Sequence, residues 1–391
     1  MKLLVVAPHP FFTPRGTPFS VYYRTLISAE LGVGIDFLTY GQGEDVDIPG
    51  VRFYRTPKLG FLGRVKVGPS LKKLVHDVFV FFWMLPLLLR NRYDVVQAHE
   101  EAVFMALFLK PFFRYKLLYD MHSSLPQQLV NFNYSRNRLL LGLFEWLEKK
   151  SLVHSEAIIT ICPDLFHYVN KLLPGNTRNF LIENSILEPV RLARGQGCVQ
   201  KASAPAPSLP EQYVQRIVYA GTLEAYQGID ILLEAMALVA AEKAAAGCII
   251  VGGTDEQVAH YRSQAHRLGI TQQVLFTGRV SQDLARAYSA QATVLVSPRS
   301  TGTNTPLKIY EQLASGIPLV ATAIYSHTQV LSDEVAFLVP ASAQGLAQGL
   351  LAVMADSELA ASKAAKAQEL YAREYARPIY VEKLRRVLES L

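Results

Sequence analysis

Short apolar runs alternate along this chain with longer segments in which apolar residues recur every three or four positions. In the first half the runs occupy residues 3–7, 34–40, 95–98, 117–121, 157–160 and 179–182, and in the second 217–220, 247–251, 274–277, 293–297 and 318–321. Continuous Val, Ile and Leu runs mark strands covered on both faces, and their alternation with helices predicts βαβ units and parallel sheets, an α/β chain. The pattern lapses after Leu187, where the chain up to Pro210 is rich in Pro, Gly, Ala and Ser and sustains no core element. This divides the sequence into an N-terminal domain (residues 1–190), a linker (191–212), a C-terminal domain (213–375) and a terminal segment (376–391). Residues 363–391 read as helix interrupted at Pro378.

A length of 391 residues suits two cores of ordinary size, and a chain that is 50% hydrophobic and 18% charged is globular. The start imitates a signal peptide for a few residues, but Pro8 and Pro10 break the apolar run, which predicts a first buried strand instead. Cys162, Cys198 and Cys248 have neither metal-ligand spacing nor an even count, which suggests free thiols, a reducing compartment and the cytoplasm.

The net charge of +6 admits nucleic acid, anionic lipid or a phosphorylated substrate as partner, and its distribution narrows the choice. Arg52, Arg55, Lys58, Arg64, Lys66, Lys72 and Lys73 alternate with aromatic and aliphatic residues, and the apolar run of residues 78–89 follows directly. That run is shorter than the roughly 20 residues that span a bilayer. Two readings stay open: a core helix behind a solvated basic loop, or a peripheral face on the inner side of the cell membrane, with cations at anionic headgroups. No nucleic-acid recognition motif accompanies the charge.

The densest chemistry lies in Thr303-Asn-Thr-Pro-Leu-Lys308-Ile-Tyr-Glu311-Gln-Leu-Ala-Ser-Gly316-Ile-Pro318. A small polar loop, including Thr303, Asn304 and Thr305, leads into a helix whose N-terminal N–H groups favour an anion such as phosphate. Glu311, one turn in, is placed to accept hydrogen bonds from vicinal ribose hydroxyls. Gly316 and Pro318 end the helix.

The segment resembles the donor-site signature of family-four retaining glycosyltransferases. The resemblance implies the B-type fold, two Rossmann-like domains facing across a cleft, and transfer of a sugar from a nucleotide-diphosphate donor without a metal or other cofactor. In that family two glutamates stand seven residues apart; Glu311 matches the second, which holds the ribose, and Thr303 occupies the place of the first. The loop from Gly221 to Gly228 matches one that presents arginine and lysine to the diphosphate, but here the positions hold Thr222 and Gln227. Lys308 is the substitute this reading offers, with Arg15 and Arg299 behind it. Gly278, Arg279 and Val280 resemble the base-edge contact.

In the N-terminal domain, Arg15 and Gly16 lie in a loop after the first strand, with a helix expected from about residue 21. The family keeps a glycine loop there, near donor phosphates and acceptor. His122, between Asp120 and Ser123 at the carboxyl end of a strand, matches a family histidine that contacts the transferred sugar. His99 ends the preceding strand and ranks below it. Asn184 matches a hinge asparagine, although a turn explains it equally well. No Cys or Asp stands at metal spacing to either histidine in the sequence.

The resemblance implies a retaining front-face displacement, in which the leaving diphosphate assists deprotonation of the acceptor, and the expected acceptor is lipid-linked or a polysaccharide. A sugar-nucleotide epimerase of the same fold would need a carboxylate acid–base pair, and a silent binding scaffold would account for Thr303, Thr222 and Gln227.

Overall fold

The computed structural model describes residues 1–13, 16–58, 60, 63, 70–126, 138–186, 188–192 and 208–391. The chain divides into two compact units, Met1–Cys198 with Arg377–Leu391, and Val199–Ala376.

The first unit runs β1 (Lys2–Ala7), α1 (Gly16–Glu30), β2 (Gly34–Thr39), β3 (Val51–Arg55), α2 (Leu71–Arg90), β4 (Val95–His99), α3 (Ala102–Phe113), β5 (Lys116–Met121), α4 (Arg138–His154), β6 (Ala157–Thr160), α5 (Pro163–Leu172) and β7 (Asn179–Leu181). The second runs β8 (Gln215–Ala220), α6 (Ile229–Glu242), β9 (Ala246–Val251), α7 (Asp255–Arg267), β10 (Val274–Gly278), α8 (Gln282–Ser289), β11 (Val294–Ser297), α9 (Leu307–Ala314), β12 (Leu319–Thr322), α10 (Tyr325–Thr328), β13 (Phe337–Val339), α11 (Ala343–Ala355) and α12 (Ser357–Glu374). The last helix, α13 (Arg377–Glu389), belongs to the first unit. Its Tyr380, Leu384 and Val387 join the core on the α1 side of the first sheet, and Lys383 Nζ donates to Glu183 Oε2 at 2.8 Å.

Among the described residues the first sheet has the order β3-β2-β1-β4-β5-β6-β7 and the second β10-β9-β8-β11-β12-β13, with every strand pairing parallel. Both orders reverse once, between β1 and β4 and between β8 and β11. Beside such a reversal the loops leave the strands in opposite directions and open a crevice at the carboxyl ends. The central strands are buried almost end to end, as the apolar runs require.

Three elements differ from the sequence reading. β3 lies within the stretch taken for a basic loop: it is an edge strand on β2, where Arg52 Nε meets Asp36 Oδ1 at 2.9 Å and Arg55 Nη1 donates to the carbonyls of Tyr40 and Gln42, both at 3.2 Å. α1 begins at Gly16, not near residue 21, because Pro18 falls in the first turn, where its missing N–H costs no helical bond. β13 has only 3 residues, too few to register as a pattern.

Candidate active site

In the second unit the β8–β11 reversal carries the donor-signature residues. Gly221 follows β8, and the Tyr219 hydroxyl donates to the Thr222 carbonyl at 2.6 Å. Gln227 lies in the short turn Ala225–Gln227, largely buried, with its amide nitrogen 3.4 Å from the Thr222 hydroxyl. Gly228 then lies so close to the loop after β11 that a Cβ would stand 2.1 Å from the Pro298 carbonyl oxygen. Side-chain-free backbone also meets across the strand ends. Gly252 N donates to Gly278 O at 3.0 Å, and a Cβ on Gly252 would come within 2.0 Å of the Gly221 carbonyl oxygen. The sequence reading missed Gly252 and Gly253, although a glycine pair directly after a strand is a legible sign of close backbone approach.

Above this floor stands α9. Pro306 is its N-cap and supplies no side-chain cap; the Ile309 N–H donates to the Pro306 carbonyl at 3.0 Å, which leaves the N–H groups of Leu307 and Lys308 to face an acceptor at the helix start. Lys308 Nζ lies 4.1 Å from the centroid of the Tyr219 ring and 3.3 Å from Gln227 Oε1. Burial, with the nearby Arg299 guanidinium second, lowers its pKa to about 7. Arg299 donates to the carbonyls of Thr301 at 2.7 Å and Asn304 at 3.4 Å and packs over Tyr226; burial lowers its pKa too. Two cations thus converge, and among the described residues neither forms an ion pair with a carboxylate. The Thr305 hydroxyl is shut off from solvent with no hydrogen-bond partner.

Glu311, one turn further along α9, accepts from Arg286 Nε at 3.0 Å, and its side chain is 44% exposed. Thr303 is exposed, and its carbonyl accepts from the Gln329 amide. Arg279 is exposed and Val280 partly buried just past Gly278.

In the first unit, parallel pairing of β4 and β5 places His99 opposite Asp120. His99 Nδ1 is 3.2 Å from Asp120 Oδ2 and 3.3 Å from His122 Nε2, and His122 Nε2 is 3.2 Å from Asp120 Oδ1. The sequence showed no acid at metal spacing to these histidines, yet the sheet brings together three potential ligand atoms within 4.8 Å of one another. The charge arrangement disfavours a metal. The buried Arg24 guanidinium bonds Asp120 Oδ1, and the Gln97 amide donates to Oδ2 at 2.9 Å. A dication would face that guanidinium inside a low-dielectric core. Burial alone would raise the Asp120 pKa, but Arg24, then His99 and His122, holds it well below the usual carboxylate range. His99 is kept neutral, its pKa brought down to about 3 mainly by burial. His99 is fully buried and His122 nearly so.

Residues 28–186 match the family model described as glycosyltransferase family 4, and residues 214–356 match that described as glycosyl transferases group 1. Together they take in most of both units. The chain belongs to these glycosyltransferases. It is 28% identical over 405 residues to the phosphatidyl-myo-inositol mannosyltransferase of Mycobacterium leprae, covering 100% of this chain and 97% of that one. Of the solved structures it resembles, sucrose-phosphate synthase from Thermosynechococcus elongatus has a TM-score of 0.75 at 17% identity, covering 99% of this chain and 98% of that one. Anabaena HepE in complex with UDP has a TM-score of 0.73 at 16% identity, covering 100% of both chains. These structural likenesses establish the fold, two parallel α/β domains of the B-type glycosyltransferase architecture.

The remaining candidates of this glycosyltransferase are scattered. Arg15 lies outside the described residues, as do Arg64, Lys66 and Cys198, and Gly16 is the first residue of α1. Ser123 follows His122, partly buried. Asn184, past β7, holds its Oδ1 shut off from solvent without a partner. Lys73 corrects the basic-stretch reading: it sits at 12% side-chain exposure, 2.7 Å from Glu101 Oε1 and 3.4 Å from Glu100 Oε2. Burial opposes the charge on Lys73, but Glu101 and Glu100 outweigh it and raise the pKa. Sequence reasoning missed this acidic pair, Arg24 and Arg286, because each acquires its role from a partner distant in the chain. Arg24 alone left a signal, as an isolated cation within the otherwise uncharged helix segment Ser20 to Ala29.

Proposed function

We propose that this glycosyltransferase moves a sugar, with retention, from a nucleotide diphosphate to a hydroxyl of a lipid-linked or polysaccharide acceptor. The observation that carries the reading is the convergence of Lys308 and Arg299 beside the N-terminus of α9, with no carboxylate among the described residues to neutralise them. Partly buried cations left without an anion are costly, and a diphosphate supplies the missing charge. UDP bound to HepE, a protein of the same fold, supports a nucleotide donor, and the name of the mycobacterial relatives supports a lipid acceptor.

In this scheme Glu311 leaves Arg286 for the ribose hydroxyls, and the glycine backbone at Gly221, Gly252 and Gly278 lets the nucleotide lie close. The acceptor oxygen attacks the anomeric carbon on the face from which the diphosphate departs. The acceptor proton passes to a departing phosphate oxygen, and Lys308 with the α9 N–H groups stabilises the charge released there. Side chains and backbone supply the neutralisation, so the scheme calls for no metal. His122 serves the sugar or the acceptor from the first unit.

Membrane attachment belongs to the same proposal, on a revised surface. No described helix is long and apolar enough to cross a membrane. α2 buries Val80, Met84 and Leu88, but exposes Val78 at 48% and Phe82 at 57%. Neighbouring α3 exposes Phe112 at 70%, and α4 exposes Trp146 at 55%. Apolar side chains on three helices of one face, with exposed Lys72 and Lys150 beside them, suit insertion into an anionic headgroup layer.

The test incubates the protein with a panel of nucleotide sugars. Binding of one donor and slow release of free nucleotide support transfer; isomerisation of the donor sugar, or no binding by any donor, refutes it.

A further inference from the structure

The carboxyl ends of β11 and β12 in the second unit hold a set of polar side chains behind the loop that carries Arg299. Ser297 ends β11, Thr322 ends β12 and His327 lies in α10, and all three are fully buried. His327 Nδ1 is 2.8 Å from the Thr322 carbonyl oxygen and 3.1 Å from the Thr322 hydroxyl. A carbonyl only accepts, so Nδ1 carries the proton, and Nε2, 3.0 Å from Ser297 Oγ, accepts from that hydroxyl. Burial brings the imidazole pKa down to about 4, against the pull of the Thr322 carbonyl, so His327 joins this network as a neutral ring.

The network reaches out of the core to one peptide group. The Thr322 hydroxyl donates to the Arg299 carbonyl, and the N–H of the same peptide, that of Ser300, donates to the Tyr226 carbonyl at 3.0 Å. The Tyr226 ring lies under Arg299, whose Cζ is 5.2 Å from the ring centroid. Both ends of the Arg299–Ser300 peptide are thus held, which fixes its plane and the direction in which the Arg299 side chain leaves the backbone. Just past α10, the Gln329 amide holds the same loop again at the Thr303 carbonyl. Apolar side chains would fill the places of Ser297, Thr322 and His327 without desolvating any polar group. A paired polar network there sets one geometry instead, and the geometry it sets is that of a cation in the donor site.

We propose that Thr322 and His327 are positioning residues for the donor diphosphate: the imidazole orients Thr322, whose hydroxyl holds the Arg299 peptide and so aims the guanidinium beside Lys308. Both act through Arg299. The proposal rests on the glycosyltransferase reading and deepens it, by naming what holds one of the two cations in place.

The experiment uses the full-length protein, with UDP and GDP set against uridine and guanosine as probes. Thr322→Val removes one hydroxyl at nearly constant shape and should weaken the diphosphate that binds at least fivefold, with the matching nucleoside staying within twofold. His327→Leu should do the same. Thr322→Ser, which keeps the hydroxyl, and His327→Asn, whose amide N–H takes the place of Nδ1–H, should bring the affinity back to within twofold of wild type. Equal losses of nucleoside and diphosphate, or an unchanged diphosphate affinity in folded Thr322→Val, would overturn the role. Hydrogen exchange of the Ser300 amide in the free protein tests the clamp without any donor. Thr322→Val should speed it at least tenfold, and unchanged exchange would overturn the clamp. A wild-type protein that binds neither diphosphate sinks the donor reading, and the exchange result then decides the clamp by itself.

Discussion

Lys308 Nζ stands 4.1 Å from the ring centroid of Tyr219, a side chain that is itself fully buried and whose hydroxyl holds the Thr222 carbonyl. One residue of β8 thus supports both the cation and the loop beside it. A desolvated cation–π contact contributes about 2 kcal/mol, less than the several kcal/mol that burial of an ammonium costs. The remainder appears as the lowered pKa of Lys308, about 7.

A pH dependence follows. The unfolded lysine titrates near its ordinary value of 10.5 and the folded one near 7, so between these limits the unfolded chain binds more protons and stability rises with pH. Thermal unfolding of Lys308→Met should lack this rise between about pH 7 and 10 and should show normal folding at pH 6, with turnover lost. Binding a nucleotide diphosphate at pH 8 should draw up a proton, seen as a heat that differs between buffers of different ionisation enthalpy. Equal heats, or normal turnover in the folded variant, would refute the role.

Glu311→Gln should weaken nucleotide binding by about 1.5–3 kcal/mol, the worth of charge-assisted hydrogen bonds. Arg286 is the internal control. It holds the carboxylate at 3.0 Å in the free protein, so Arg286→Ala should leave affinity equal or improved. Calorimetric titration decides, and unchanged affinity in Glu311→Gln would remove Glu311 from the donor site.

His122→Ala should reduce transfer while free-nucleotide affinity stays within twofold, since the residue lies in the first unit and the cations in the second. Normal transfer by a folded His122→Ala would make the residue purely structural.

Asp120→Ala should destabilise the first unit by about 3–5 kcal/mol, because it leaves the buried Arg24 guanidinium without its carboxylate. Arg24→Met with Asp120→Asn should recover much of that loss, as removing both charges removes the unpaired one. Urea unfolding of the three proteins measures it.

Vesicle binding should follow the apolar face. Phe82→Ser with Trp146→Ser should abolish sedimentation with anionic vesicles, whereas Lys72→Gln should cost about 1 kcal/mol and only at low salt. Lys73→Gln is no test of the surface, since its ammonium is held inside by Glu101. Undiminished sedimentation of the double serine variant would return the face to plain solvent exposure.

The sequence by itself determined the two parallel sheets, because Val-, Ile- and Leu-rich strands buried on both faces leave continuous apolar runs that the order of residues exposes. It also determined the form of α9 and its neighbourhood, where Pro306, Lys308, Glu311 and Gly316 follow one another locally and their spacing is their geometry. Tertiary structure alone decided what depended on distant partners. The chain separates Arg24 from Asp120 by 96 positions, Lys73 from Glu101 by 28 and Arg286 from Glu311 by 25. Parallel pairing turned His99 and His122, each ambiguous alone, into one cluster around a carboxylate already neutralised by a guanidinium. Lys73 was misread for the same reason: charge is visible in a sequence, but whether a cation meets water, a membrane or a buried carboxylate depends on which strand or helix face carries it.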